Sequence, residues 1–228
     1  MPNPTFYNID REKQEKILSA AMKEFSRKTY SNISIARIIK AAGIPRGSFY
    51  QYFEGLEDLY RYVLQIIAEE KMAYLSPVLL LMEEGETFEI LQELYRAGIR
   101  FAKEHPRYAG IGNQLFKEKK SIRDQVTEGL MEQSLAFYQR IFQRGQEKGE
   151  IDPGADVATA AYMAHTLNIN LADMVLEGKG NQNLMDHVDE YYEQVEKMLY
   201  IFKEGLKTKK AQGKNQGEKG QKEGPGQE

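Results

Sequence analysis

Apolar positions along this chain recur almost everywhere at three- and four-residue intervals, the period of an amphipathic helix, and no segment alternates convincingly as a half-buried strand would. A first helix is predicted over 10–28, with Asp10 as a candidate N-cap and Ile17, Leu18, Ala21 and Phe25 on one stripe. A short helix follows over 35–42, where Ser34 is the candidate N-cap and Ile35, Ile38, Ile39 and Ala42 share a face. Gly43 is placed to stop it and Pro45 to start the next helix, which runs to about Phe53. The stripe Leu56, Leu59, Tyr60, Val63, Leu64 and Ile67 predicts a helix over 56–75, ended or kinked at Pro77. Further helices are expected at about 87–104, 106–117, 122–148, 155–177 and 184–206, separated by Gly- and Pro-containing breaks. The fold class is all-α.

Composition narrows the function. The chain has 228 residues, 41% of them hydrophobic, enough for a real core. No cysteine is present, which removes disulfides, thiolate catalysis and Cys-ligated zinc. The first residues lack the apolar stretch of a signal peptide, and the longest apolar run, near Ala73–Met82, is far short of the ~20 residues a membrane span needs. A cytoplasmic protein with no membrane association is expected. Residues 207–228 hold six Lys, three Glu and five Gly and almost nothing apolar, the composition of a disordered tail. No P-loop, dinucleotide turn, nucleophile elbow or paired-carboxylate motif is present, so an enzyme is not expected. His105, His165 and His187 are scattered without metal-ligand spacing; neither a metal nor a cofactor is expected.

The net charge is −3, yet the stretch from Phe25 to Phe53 holds Arg27, Lys28, Arg37, Lys40 and Arg46 and no Asp or Glu. A local basic stretch in an otherwise acidic protein is the footprint of phosphate binding. Its layout, a short helix, a Gly-Ile-Pro turn and a second short helix, is that of a helix-turn-helix, whose second helix sets its N-terminal residues against base edges in the major groove. Arg46, Gly47, Ser48 and Tyr50 occupy that end. Phe49 and Phe53, at i and i+4, face inward; Gly47 leaves room for close backbone approach; Ser48, Tyr50 and Tyr52 offer hydroxyls of the kind that bond phosphates.

The run Ala41-Ala42-Gly43-Ile44-Pro45-Arg46-Gly47-Ser48-Phe49-Tyr50-Gln51-Tyr52-Phe53, followed by Glu57-Asp58-Leu59, resembles the signature of the TetR family of transcriptional regulators over about residues 10–64. The resemblance implies a homodimer that binds double-stranded operator DNA and senses a small molecule. It assigns Ser34 to a phosphate, Arg46 and Ser48 to bases with Gly47 packed beside them, and Tyr50 and Tyr52 to phosphates. Arg37, Lys40 and Pro45 complete the expected surface. Ala36, at a common base-reading position, offers only a methyl contact. Leu56 stands where the family usually has a phosphate-binding Lys, and Gly55 replaces its usual Ser or Asn.

The expected organisation is a flexible lead-in over 1–9, a DNA-binding domain over 10–55, a connecting helix with a ligand-binding and dimerisation domain over 56–206, and the tail. The family dimerises through its last two helices. Here one is rich in Ala (155, 158, 160, 161, 164 and 172), and the other carries Val188, Tyr191, Tyr192, Val195, Leu199 and Phe202. Candidate lining residues for an apolar or aromatic effector are Phe101, Tyr108, Phe116, Tyr138, Phe142, Met163, His165 and Asn168, each read first as ordinary core packing. The expected role is a ligand-released repressor; control by a protein partner, or action as an activator, stays open.

Overall fold

The computed structural model describes residues 1–179 and 184–206; the expected tail over 207–228 and the side chain of Ala172 lie outside the described residues. Among the described residues the fold is all-α: α1 (Pro4–Tyr7), α2 (Arg11–Phe25), α3 (Ile35–Ala42), α4 (Arg46–Tyr52), α5 (Leu56–Tyr74), α6 (Ser76–Glu84), α7 (Thr87–Glu104), α8 (Pro106–Phe116), α9 (Lys120–Val126), α10 (Leu130–Glu147), α11 (Val157–Leu176) and α12 (Val188–Leu206), with short 3-10 turns at Tyr30–Asn32 and Leu184–His187. Among the described residues no helix is long and apolar enough to cross a membrane. The chain forms two compact units, one from Met1–Ser76 with Ala97–Gln133, the other from Pro77–Arg96 with the described residues from Ser134 onward.

The first unit is built on one apolar cluster. Ile17, Ala21 and Phe25 of α2, Ile38 of α3, Phe49 and Phe53 at α4, and Leu59, Tyr60 and Val63 of α5 have no exposed surface, and Ile111 of α8 and Val126 of α9 join them. Each large side chain so buried contributes about 1.5–3 kcal/mol. The α3–α4 turn has a local cause. Gly43 sits in the left-handed region (φ 65°, ψ 31°), where a Cβ is strained, and its N–H donates to the carbonyls of Ile39 and Lys40. Pro45, with φ −63°, then presets the entry into α4.

Three elements differ from the sequence expectation. Residues 1–9 are not a loose lead-in: α1 places the fully buried Phe6 against Phe53, Tyr62 and Tyr52, at ring separations of 4.9, 5.8 and 6.1 Å. The Asn3 N–H donates to the Tyr52 carbonyl at 2.8 Å, satisfying the last turn of α4. The single helix expected over 122–148 is two, α9 and α10, broken at Thr127–Gly129 with Gly129 at φ 81°. Pro77 does end α5, as expected, but sits in the first turn of a further helix, α6, where its missing N–H costs nothing.

In the second unit Ile90, Leu91 and Tyr95 of α7, Ile141 and Phe142 of α10, Ala160, Ala161 and Ala164 of α11 and Val195, Leu199 and Phe202 of α12 are buried, with the Phe142 and Phe202 rings 6.2 Å apart. Asp156 caps α11, its Oδ1 accepting from the Thr159 N–H at 2.7 Å. One face of α11 and one of α12 remain open: Tyr162, Met163, Leu167 and Met174 on the first, Tyr200 and Ile201 on the second.

Two substitutions test this packing by chemical denaturation. Phe6→Ala is expected to destabilise the protein by about 3 kcal/mol, the low end of the range for a buried Phe because a chain end can relax; a loss below ~0.5 kcal/mol would return α1 to a loose segment. The Tyr60 hydroxyl is buried without a hydrogen-bond partner, and burial holds its phenol well above the usual range, so the group stays neutral. Tyr60→Phe is therefore expected to leave stability unchanged or raise it by up to ~1 kcal/mol, whereas a fall of that size would reveal a partner for the hydroxyl.

Candidate nucleic-acid interface

Helix α4 divides into two faces. Phe49, Tyr52 and the following Phe53 point into the core; Arg46, Gly47, Tyr50 and Gln51, at i, i+1, i+4 and i+5, stand exposed, with Ser48 half-buried at the margin. Seven residues are too few to hold a helix alone, so the buried aromatics fix which side chains face outward. Tyr50 stands edge-on to Phe49 at 5.2 Å. A Cβ built on Gly47 meets nothing within 4 Å, so no contact inside the protein calls for glycine there.

The other expected DNA residues are placed unevenly. Arg27, Lys28, Lys40 and Pro45 are exposed, as is the Ala36 methyl in the first turn of α3. Ser34 occupies the N-cap position, but its hydroxyl makes no capping bond. Arg37 is exposed yet engaged: its Nε donates to Glu24 Oε1 at 2.7 Å and its Nη2 to the Asn32 carbonyl at 3.2 Å. Tyr52 stands apart from the outer face, only 4% exposed; it lies three residues from Phe49 on the core side, packed on Phe6 with the Lys13 ammonium 5.5 Å from its ring centroid.

The start of α5 departs from a phosphate site as its sequence suggested. Gly55 supplies no side-chain cap, and the first turn carries Glu57 and Asp58. Arg61, the nearest cation on the helix, is engaged by Glu57 at 2.9 Å, by Glu128 and by the Gln125 carbonyl. The Glu57–Arg61 pair is legible as an i,i+4 spacing; Gln125 and Glu128 are not. Nor does the sequence disclose Glu118, whose carboxylate accepts from the Ser31 N–H at 2.8 Å and from its hydroxyl at 3.1 Å, fixing the loop that leads into α3.

The residues expected to line an effector site fall in both units. In the first, Phe101 and Tyr108 flank His105, at ring separations of 4.8 and 5.1 Å, and Phe116 lies under Arg123. Burial, aided by a 3.0 Å hydrogen bond to Glu70, pushes the Tyr108 phenol up to about 12. In the second, Tyr138 and His165 are buried with their rings 5.8 Å apart, Phe142 is in the core, Asn168 is half-buried and Met163 is half-exposed.

Residues 17–63 match the family described as bacterial regulatory proteins, tetR family. An uncharacterized HTH-type transcriptional regulator of Bacillus subtilis, YfiR, is 21% identical over 157 residues, 69% of this chain and 77% of its own. The HTH-type transcriptional regulator AcrR of Shigella flexneri is 29% identical over 88 residues, 37% of this chain and 39% of its own. Among solved structures, a TetR family transcriptional regulator from Chloroflexus aurantiacus is 27% identical, covers 90% of this chain and 98% of its own, and superposes with a TM-score of 0.62. The transcriptional regulator FadR from Bacillus subtilis, in complex with stearoyl-CoA, is 19% identical over 79% of this chain and 96% of its own, with a TM-score of 0.61. The matched segment spans the helix-turn-helix and the start of α5: residues 17–63 are a DNA-binding segment of the tetR type, and the all-helical remainder is similar in architecture to TetR family transcriptional regulators.

Proposed function

We propose that the protein is a cytoplasmic repressor whose dimer grips a near-palindromic operator and lets go when a small apolar or aromatic molecule binds. The observation that supports this most is the outer face of α4: exposed Arg46, Gly47 and Tyr50 beside exposed Lys40, in a stretch of chain without a single acid. Residues 10–55 read DNA in this account, and 56–206 sense and dimerise. The open apolar faces of α11 and α12 suit a second copy, because a two-fold interface sets the same surface against itself and covers Tyr162, Leu167, Met174, Tyr200 and Ile201 in one step. Such a dimer meets two major grooves when its recognition helices lie about 34–36 Å apart. The role requires no catalysis.

Release requires only that the effector bind more tightly to a state in which those helices are misplaced. The FadR structure was solved with stearoyl-CoA; at that distance the likeness speaks for the fold, and the molecule enters here as one probe among apolar and aromatic compounds.

Binding-site selection from random duplexes supplies the operator for three measurements. Arg46→Ala is expected to cost about 1–3 kcal/mol on that site and far less on unrelated DNA; equal losses on both would make Arg46 a phosphate contact. Gly47→Ala is expected to raise the melting temperature, since alanine favours a helix over glycine by up to ~1 kcal/mol and nothing in the chain obstructs the methyl, while weakening operator binding; unchanged operator affinity would remove the close approach from the mechanism. A ligand found by gel shift should lose affinity for the operator-bound protein by the factor, about 5- to 150-fold, by which it weakens the operator. A tight ligand indifferent to operator would end the release mechanism and favour control by a protein partner.

A further inference from the structure

Arg140 and Arg144 of helix α10 and Lys148, the residue just past its end, follow one another at four-residue intervals. Two are accounted for. The Arg140 guanidinium lies 5.8 Å from the ring centroid of Phe137. Lys148 Nζ donates to the carbonyls of Glu84 and Gly85, at 2.8 and 3.1 Å, with Glu150 at 3.7 Å. Arg144 between them is different: both terminal nitrogens, Nη1 and Nη2, are shut off from solvent, and neither has a hydrogen-bond partner among the described residues. A lysine so placed could shed its proton, but a guanidinium cannot, so its charge remains whatever surrounds it. The turn before it presents Ile141 and Phe142, both without exposed surface. Its neighbour Gly145 packs against Thr87, whose buried hydroxyl likewise lacks a partner.

A guanidinium whose terminal N–H donors are buried and unpaired is half of an ion pair, and its complement is a planar or tetrahedral oxyanion. We propose that Arg144 is the anchor for the acidic group of the effector, and that the effector is therefore an amphipathic anion: a carboxylate, or a phosphate ester, on an apolar body. The inference rests on the ligand-release reading and specifies its ligand class.

The test uses the full chain and calorimetry with decanoate, with decanol and decyltrimethylammonium as neutral and cationic controls of the same length and inorganic phosphate as an anion without an apolar body. Decanoate is expected to bind, the two controls are not, and phosphate is expected to bind far more weakly. Arg144→Met, of similar length without the charge, should weaken decanoate by ~30-fold or more, as removal of one partner from a buried charge pair does. Arg144→Lys should weaken it less, because the charge stays and the fork is lost. Without ligand, Arg144→Met should melt no lower than the wild type, since no described residue hydrogen-bonds the terminal nitrogens of the guanidinium. Decanoate binding that survives in Arg144→Met, equal binding of decanol, or no decanoate binding at all would overturn the proposal. Collapse of the ligand-free Arg144→Met protein, with Arg144→Lys folded and binding decanoate as the wild type does, would make Arg144 structural and overturn it too. A neutral compound that releases operator equally from wild type and Arg144→Met would sink the acidic anchor while leaving ligand release intact.

Discussion

Burial of aromatic side chains beneath α4 is the constraint on which the rest of the molecule depends. A seven-residue helix cannot recover its nucleation cost through its own hydrogen bonds, so α4 exists because Phe49, Tyr52 and Phe53 are sunk between α1, α2, α3 and α5. That burial sets the rotation of the helix about its axis, and the rotation decides that Arg46, Gly47 and Tyr50 face outward. The face proposed to read bases is thus held in place by residues on the opposite, buried side. The N-terminal turn of the chain belongs to the same device: Phe6 closes the aromatic cluster from below, and Asn3 ties off the last turn of α4.

Charge follows a division of labour. Around α3 and α4 the cations stand toward solvent, while at the start of α5 Glu57, Asp58 and the engaged Arg61 leave a surface with little attraction for phosphate. Leu56, where the family usually has a lysine, agrees with that surface. On the proposed reading, the helix-turn-helix supplies the cations and the helix behind it does not.

What could be read from the sequence was whatever local rules determine. The left-handed Gly43, the Phe49–Phe53 spacing and the stripe of α5 each lie within one or two turns, and each stands in the structure as read. Contacts that join distant positions escaped. Phe6 meets partners more than forty residues away, Ser31 meets Glu118, and neither pairing leaves a periodic trace. The break at Thr127–Gly129 escaped because glycine inside a helical pattern lowers helix propensity without dictating a stop. For the effector site the sequence supplied side-chain types but not convergence: its candidates are divided between the two units, and Arg144 did not stand out because an arginine in a helix looks solvated until its surroundings are known.

The ion pair between Arg37 and Glu24 has a consequence for how association with a polyanion responds to salt. Each free cation that reaches a phosphate liberates a condensed counterion, and the dependence of affinity on salt counts those liberated ions. Arg37 arrives with its charge already matched by a carboxylate of the same protein. If it turns to a phosphate, Glu24 is left beside the polyanion, and the net number of ions set free is close to none. The five cations between Phe25 and Phe53 therefore overstate the electrostatic reach of this surface, since Arg37 should add little to the slope of affinity against salt.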